Sequence, residues 1–267
     1  MLQQGRVRVN GEVERDARCV VEPDDSVEVG QKSAYRDLPP EVGVLYEDEH
    51  LIVVLKANGV LTVPTERERD TTVQAYLNRY LKGRHEERIH VVHRLDRETS
   101  GVLVFAKHLA ARDGLKDQFA EHSADRIYVA IVEGTMTPPD GTIRSHLFER
   151  RDLRMVSVRP RADAKHAITH YRTIRTSPLY SMLEVTLETG RKNQIRTHFS
   201  EAGHPVIGDQ FYGSTVNPIG RLGLHAKLLG FLHPMTGRRM TFTAPVPRSF
   251  RELFAGYPGA AEDVPSV

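Results

Sequence analysis

The segment with the densest chemistry is His93-Arg94-Leu95-Asp96-Arg97-Glu98-Thr99-Ser100-Gly101, a loop carrying five ionisable side chains between two apolar runs. An aspartate between two arginines has its charged form favoured, so Asp96 is expected to meet a substrate as a carboxylate. On spacing alone a salt-bridged hairpin turn accounts for the loop better than a reactive site, because Glu98-Thr99-Ser100-Gly101 is ordinary turn chemistry. A second segment, Gly190-Arg191-Lys192-Asn193-Gln194-Ile195-Arg196-Thr197-His198, ends a strand on glycine and opens a helix on basic and amide side chains. The backbone N–H groups of such a helix start, with cations beside them, suit a phosphate or a carboxylate. Ordinary helix surface, with Ile195 and Phe199 in the core, explains it equally well. His90 and His93 lie three apart in a segment that reads as strand, where they face opposite sides, and no companion carboxylate-histidine set exists elsewhere; no metal site is expected.

The elements that must position these residues follow from periodicity and turn chemistry. HLIVVLK (50–56) and VLTV (60–63), split by Asn58-Gly59, read as a buried hairpin. Val73, Leu77 and Leu81 share a helical face after Asp70, closed by Gly83. IHVVHRLDRETSGVLVFAK (89–107) reads as strand, charged loop, strand. A helix through Leu109, Leu115 and Phe119 follows, then strands at RIYVAIVEG (126–134) and SMLEVTLETG (181–190), and a helix in KNQIRTHFSEAG (192–203). Near the start, Val7 and Val9 alternate with Arg6 and Arg8, and Asn10-Gly11 is a strong hairpin signal. GQKSAYRDLPPE (30–41) has no period and reads as a linker. Strands with interspersed helices imply a mixed sheet in an α+β fold.

Composition narrows the class. The 267 residues allow a large domain with a small appendage, and no apolar run is long enough to cross a bilayer. The single cysteine, Cys19, excludes an internal disulfide framework, and the polar start carries no export signal, which fits a reducing cytoplasm. The formal net charge is only +2, yet nine Lys or Arg stand against three acids between Arg144 and Arg175. That stretch suits a phosphate backbone, or simply a solvated strand face.

HRLDRETSGVLVFAK closely resembles the signature of the RluA-type pseudouridine synthase family. EDEHLIVVLKANGVLTVP (47–64), RIYVAIVEG, LETGRKNQIRTHFSEAGHPVIGDQFYG (187–213) and LHAKLLGFLHPMTG (224–237) resemble four further family motifs in the same order. The resemblance implies the pseudouridine synthase fold: a mixed, mainly antiparallel central sheet flanked by helices and loops, here with a small strand-rich N-terminal appendage. It implies isomerisation of uridine to pseudouridine in structured RNA, ribosomal (above all large-subunit) or transfer RNA, with no cofactor, no membrane and no obligatory protein partner. It implies Asp96 as the catalytic aspartate, Arg196 as the ion-pair partner that orients it, and Tyr128 stacked on the target base. Arg94 is expected to enter the RNA helix where the uridine has left, Ile195 to pack beside the uracil, and Arg191 and Leu224 to contact substrate.

Two departures stand out: Lys56-Ala57-Asn58-Gly59 where the family has Lys-Pro-Xaa-Gly, and Arg191-Lys192-Asn193-Gln194 where it has Arg-Xaa-His-Gln. Residues 1–30 resemble the latter half of the RNA-binding module of ribosomal protein S-four, so a partial module is expected there, with 31–41 as linker, 42–255 as catalytic domain and 256–267 as tail. Two other readings compete. One is a catalytically silent RNA-binding or ribosome-assembly factor of the same fold. The other is a nucleoside or glycoside hydrolase using Asp96 at the anomeric carbon, which wants a second carboxylate as general acid; Glu98 is the only acid near Asp96 in sequence.

Overall fold

Alternation in the first described residues produces what it implies: Val7–Val9 (β1), Glu12–Val13 (β2) and Val27–Val29 (β3) form an antiparallel sheet in the order β2-β1-β3. Asn10 and Gly11 adopt φ of 53° and 78°, the left-handed pair that a two-residue hairpin requires. The Asn10 side chain donates to Asp25 at 2.7 Å and accepts from the Ser26 N–H at 2.9 Å, tying β3 to the hairpin. Arg8 donates to the Gly11 carbonyl at 2.8 Å and to the Pro40 carbonyl, which fastens this sheet to the chain that follows. The computed structural model describes residues 7–14, 16–29, 38–82 and 88–257. Gly83, Arg6, most of the expected linker and residues 258–267 of the tail lie outside them.

In chain order there follow Val42–Glu47 (β4), Leu51–Lys56 (β5), Val73–Leu81 (α1), His90–Val91 (β6), Ser100–Ala106 (β7) and Leu109–Ala120 (α2). Next come Asp125–Glu133 (β8), Asp140–Glu149 (β9), Met155–Val158 (β10), Lys165–Thr176 (β11), Tyr180–Leu187 (β12) and Gln194–Glu201 (α3). A 3-10 turn at Gln210–Tyr212, then Leu224–Leu232 (β13), Arg239–Thr243 (β14) and Arg248–Glu252 (α4), complete the described chain. None of the described helices is long and apolar enough to cross a membrane.

The described residues fall into two compact units. The first takes in those up to Arg126 together with His225–Arg248. Here β5 lies between β4 and β7, both antiparallel to it, β6 pairs with β7, and β13 runs parallel to β7 and antiparallel to β14. Every residue of β5 and β7 is buried, and Ala111 and Leu115 of α2 join the same apolar cluster. The second unit, Ile127–Leu224 with the described residues from Ser249 on, is wholly antiparallel, in the order β10-β9-β11-β12-β8. The sheet is therefore mixed and mainly antiparallel, in an α+β fold.

One expected element is absent. Residues 60–63 form no strand, although the turn before them exists, with Gly59 at φ 83°. Both edges of β5 are already filled by β4 and β7, so no edge remains for a hairpin return, and Leu61 instead makes a single parallel bridge to Thr72. Helix α1 starts later than Asp70 suggested, because Thr72 caps it by accepting the Ala75 N–H.

Candidate active site

Between β6 and β7 the chain from Val92 to Thr99 has no regular structure, yet its backbone is anchored on both sides of Asp96. Upstream, the buried Thr62 hydroxyl donates to the Leu95 carbonyl at 2.7 Å and accepts the Leu95 N–H at 3.1 Å. Downstream, the Arg97 carbonyl receives Lys56 Nζ and the Gly59 N–H, each at 2.9 Å. Lys56 is 1% exposed and spends two more bonds on the carbonyls of Ala57 (2.9 Å) and Val60 (2.7 Å). The Asp96 carbonyl accepts the Thr99 N–H at 3.2 Å, which closes the turn. Asp96 itself is half-buried and Arg94 is exposed. Arg97 reaches Glu68 at 2.6 Å, an ion pair that holds the Glu68 carboxyl below its ordinary range. The loop is thus a salt-bridged turn, as its spacing suggested, and also a rigid mount for one carboxylate.

The residue that follows must be small. Gly101 has φ +122°, and a Cβ there would lie 2.1 Å from the Ala226 carbonyl oxygen on β13, its parallel neighbour. Beside it, Ser100 Oγ and His225 Nδ1 share a 2.7 Å hydrogen bond.

In the second unit, Tyr128 of β8 is opposite Val185 of β12 and packs against a cluster that contains Ile195, Phe199 and Leu224. Tyr128, Ile195 and Leu224, drawn from separate motifs, are therefore part of or packed against one buried apolar cluster. The start of α3 is set by Gln194, which is 2% exposed and makes four hydrogen bonds. Its Oε1 accepts from Thr189 Oγ1 (2.8 Å) and the Arg191 N–H (3.0 Å); its Nε2 donates to the Ile168 carbonyl and Thr169 Oγ1, both at 2.9 Å. That network fixes the direction in which Ile195 and Arg196 leave the helix. The cations at the helix start are engaged by neighbouring strands: Arg191 Nε donates to the His166 carbonyl at 2.9 Å, and Lys192 pairs with Glu149.

Arg196 binds Asp209 through Nε (2.6 Å) and Nη2 (2.8 Å), donates from Nη1 to Asn193 Oδ1 at 3.0 Å, and stacks 4.9 Å over the Tyr212 ring. The Asp209 side chain is 1% exposed. Asp209 was not singled out by the sequence reading; its signal is that it is the only acid in HPVIGDQFYG. Asn193, one of the two departures, also has a role. It takes φ 52° at the helix cap, where asparagine is tolerated, and donates to the Tyr212 hydroxyl at 3.2 Å. Asp96 and Arg94 belong to the first unit, and Tyr128, Arg191, Ile195, Arg196 and Leu224 to the second.

Two of the histidines, His93 and His198, are structural. His93 Nε2 accepts the Val104 N–H at 3.2 Å and its ring stacks 4.5 Å from Phe119; burial, with the Arg126 guanidinium adding to it, pushes its pKa down to about 3. His198 lies between Thr169 and Ser145 hydroxyls at 2.8 and 2.9 Å, and burial pushes it down to about 4. Among the described residues, no group of three His, Cys, Asp or Glu is arranged to hold a metal ion. The basic stretch from Arg144 to Arg175 runs through β9, β10 and β11, with Arg161 paired to Asp163 and lying 4.2 Å over Phe148, and Arg172 paired to Glu184 at 3.1 Å.

Comparison with known proteins agrees with this architecture. A family model for RNA pseudouridylate synthase matches residues 50–201. An uncharacterized RNA pseudouridine synthase of Bacillus subtilis, YjbO, is 34% identical over 82% of this chain and 77% of its own length. The ribosomal large subunit pseudouridine synthase D of Zymomonas mobilis is 36% identical over 82% of this chain and 73% of its own. Among solved structures, human RNA pseudouridylate synthase domain containing 4 superposes with a TM-score of 0.67 at 26% identity, covering 79% of this chain and 91% of that one.

Proposed function

This chain belongs to the RNA pseudouridylate synthase family and is an isomerase acting on RNA, and from that premise we propose that it converts uridine to pseudouridine in large-subunit ribosomal RNA, with Asp96 as its catalytic carboxylate and no cofactor. The observation that carries the choice of Asp96 is the double anchorage of its neighbours: Leu95 held through Thr62 and Arg97 held through Lys56. A loop with several charged side chains gains little from such rigidity as a mere turn. A catalytic carboxylate gains much, because a misplacement of about 1 Å costs on the order of 100-fold in rate. The ribosomal target is supported by the Zymomonas relative, whose name assigns it to the large ribosomal subunit.

In this reading the bond between uracil N1 and ribose C1′ breaks with its electron pair leaving on the base, the base turns while bound, and C5 joins C1′; the C5 proton leaves to solvent and N1 takes one up, so the product is an isomer of the substrate. Asp96 either attacks C1′ and is displaced from it when C5 bonds there, or removes the C2′ proton to give a glycal and returns it when C5 adds; both routes need the carboxylate ionised. Tyr128, packed against the apolar cluster that contains Ile195 and Leu224, stacks on the extruded base, and Ile195 and Leu224 contact the uridine from that cluster. Arg94, exposed beside Asp96, fills the gap left in the RNA helix and so offsets the few kcal/mol that unstacking costs. Arg191 contacts the RNA at the start of α3. Arg196, held by Asp209 and Asn193, is the residue that orients Asp96, a role that the family resemblance supports. Residues 42–255 form the catalytic part, the N-terminal strands an appendage to it, and the work is done in the cytoplasm, where ribosomes assemble.

The test is release of tritium from RNA labelled at uridine C5, followed alongside free uracil. Wild-type protein releases tritium without free uracil, and Asp96→Asn abolishes release while RNA binding persists. Full release by that variant refutes the role of Asp96. Free uracil indicates a hydrolase, and binding without release by the wild type indicates a silent factor.

A further inference from the structure

The first unit contains a second concavity that the isomerisation does not use. It is an open cavity of about 780 Å³, within the roughly 300–1,000 Å³ of sites that hold small ligands. It lies between the β4–β5 turn and the β13–β14 hairpin, lined by Tyr46, Asp48, His50, Thr236, Arg238 and Phe242 among others. Lys56, which holds the Asp96 loop, is at the far end of β5 from His50; six residues of strand separate the two sites by roughly 20 Å.

Its walls are fixed from behind. Asp48 accepts the Tyr46 hydroxyl (2.8 Å), His233 Nε2 (2.9 Å) and the N–H groups of His50 (2.8 Å) and Leu51 (2.9 Å). Burial alone raises the Asp48 pKa, but these four donors outweigh it and hold the carboxyl below its ordinary range. The Tyr46 and Phe242 rings, 5.6 Å apart, form an apolar wall backed by Phe231 at 5.8 Å from Phe242.

The histidine tautomers follow from their partners. His108 Nδ1 accepts the Ala111 N–H at the start of α2, so its Nε2–H donates to His50 Nδ1 at 2.9 Å. The proton of His50 is therefore on Nε2, a donor on a side chain that lines the cavity. His233 Nδ1 accepts the N–H groups of Met235 and Thr236, so its Nε2–H is the donor to Asp48. Arg239 is held by Asp125, whereas Arg238 is exposed on the rim. Glu49 adds one carboxylate to that rim, so an anion is directed to the Arg238 side.

Two aromatic rings inclined at 46° to each other, an imidazole donor and a rim guanidinium offer what a nucleotide needs: a ring face to stack on, a partner for a base edge and a partner for phosphate. We propose that this cavity docks one unstacked nucleotide of the RNA substrate, with its base against Tyr46 and Phe242, a base acceptor on His50 and its phosphate on Arg238. The site adds affinity and orientation at a distance from the chemistry. It rests on RNA being the substrate, and a free nucleotide shares the same recognition chemistry.

Two arms separate these sources, both with the full chain. In the first, AMP is titrated against protein with labelled methionine and threonine methyl groups. The Met240 and Thr241 signals shift, and Arg238→Glu removes the shift. In the second, the affinity for a ribosomal RNA fragment is measured by anisotropy, together with tritium release. Arg238→Glu and His50→Gln each weaken RNA binding about fivefold, Arg238→Glu lowers the salt slope by about one, and kcat at saturating RNA is unchanged. Unshifted signals with unchanged RNA affinity overturn the proposal. AMP binding with unchanged RNA affinity also overturns it, leaving a free-nucleotide site. RNA affinity is read without turnover, so a wild type that binds RNA but releases no tritium counts against the Asp96 reading alone.

Discussion

Replacing Lys56 by methionine keeps a long side chain in the same buried slot and deletes three hydrogen bonds, to the carbonyls of Ala57, Val60 and Arg97. All three carbonyls lose Lys56, but Arg97 keeps its bond from the Gly59 N–H, so the loss falls mainly on the carbonyls of Ala57 and Val60. An acceptor that loses its partner costs about 1–3 kcal/mol when buried and less at the half-buried Ala57 and Val60, and part of this is returned because methionine needs no hydration, so the expected loss of stability is about 1–3 kcal/mol. The Arg97 side of the Asp96 mount loosens at the same time, and a shift of up to about 1 Å lowers the single-turnover rate by roughly 10- to 100-fold. Urea unfolding measures the first quantity, and tritium release at saturating RNA, well below the unfolding midpoint, measures the second. Thr62→Val loosens the other side by removing both Leu95 contacts, and its rate falls by a similar factor even where Lys56→Met fails to fold. A Thr62→Val or Lys56→Met protein that is destabilised yet turns over at the wild-type rate refutes the positioning argument. Lys56→Met without any loss of stability refutes the hydrogen-bond accounting itself.

Acid sensitivity should trace in part to His93. Its folded pKa is about 3, below the ordinary 6.5, so the unfolded chain takes up a proton first as pH falls. Stability is then lost from about pH 6.5 toward 3, at about 1.4 kcal/mol per pH unit. His93→Gln keeps an acceptor for the Val104 N–H and does not titrate, so urea curves of the two proteins should converge by about 2 kcal/mol between pH 6.5 and 5; parallel curves contradict this. Asp209→Asn breaks a buried bidentate pair and should cost about 3–5 kcal/mol in thermal unfolding while lowering kcat more than it raises KM. Gly101→Ala sets a methyl group against the Ala226 carbonyl and should destabilise by at least about 3 kcal/mol or prevent folding, as read by far-UV circular dichroism.

Much of the fold was legible from the chain because its cues are local. Asn10-Gly11 forms the hairpin that its dipeptide implies, the apolar runs at 51–56 and 100–106 become fully buried strands, and Leu77 and Leu115 face the core from helices where a 3.6-residue period places them. The strands from 140 to 176 were harder to read. In β9 exposed and half-buried residues alternate, and β11 is mostly half-buried with two buried positions; with few large apolar side chains in either, the period-two signal is faint and the charges dominate. The misread return strand at 60–63 has the same origin as the missed clamp. Whether an edge of β5 is available, and where the Lys56 ammonium goes, depend on segments that the local pattern does not mention.

By itself the sequence determined the class of fold, the identity of the charged loop and, through family resemblance, the reaction. Tertiary structure decided what holds that loop and the second arginine. Lys56 meets Arg97 across 41 residues, Thr62 meets Leu95 across 33, and Arg196 meets Asp209 across 13. The reason is physical: periodicity and turn preference are properties of the nearest few residues, whereas a buried polar group is satisfied by whichever distant segment the packing brings within about 3 Å.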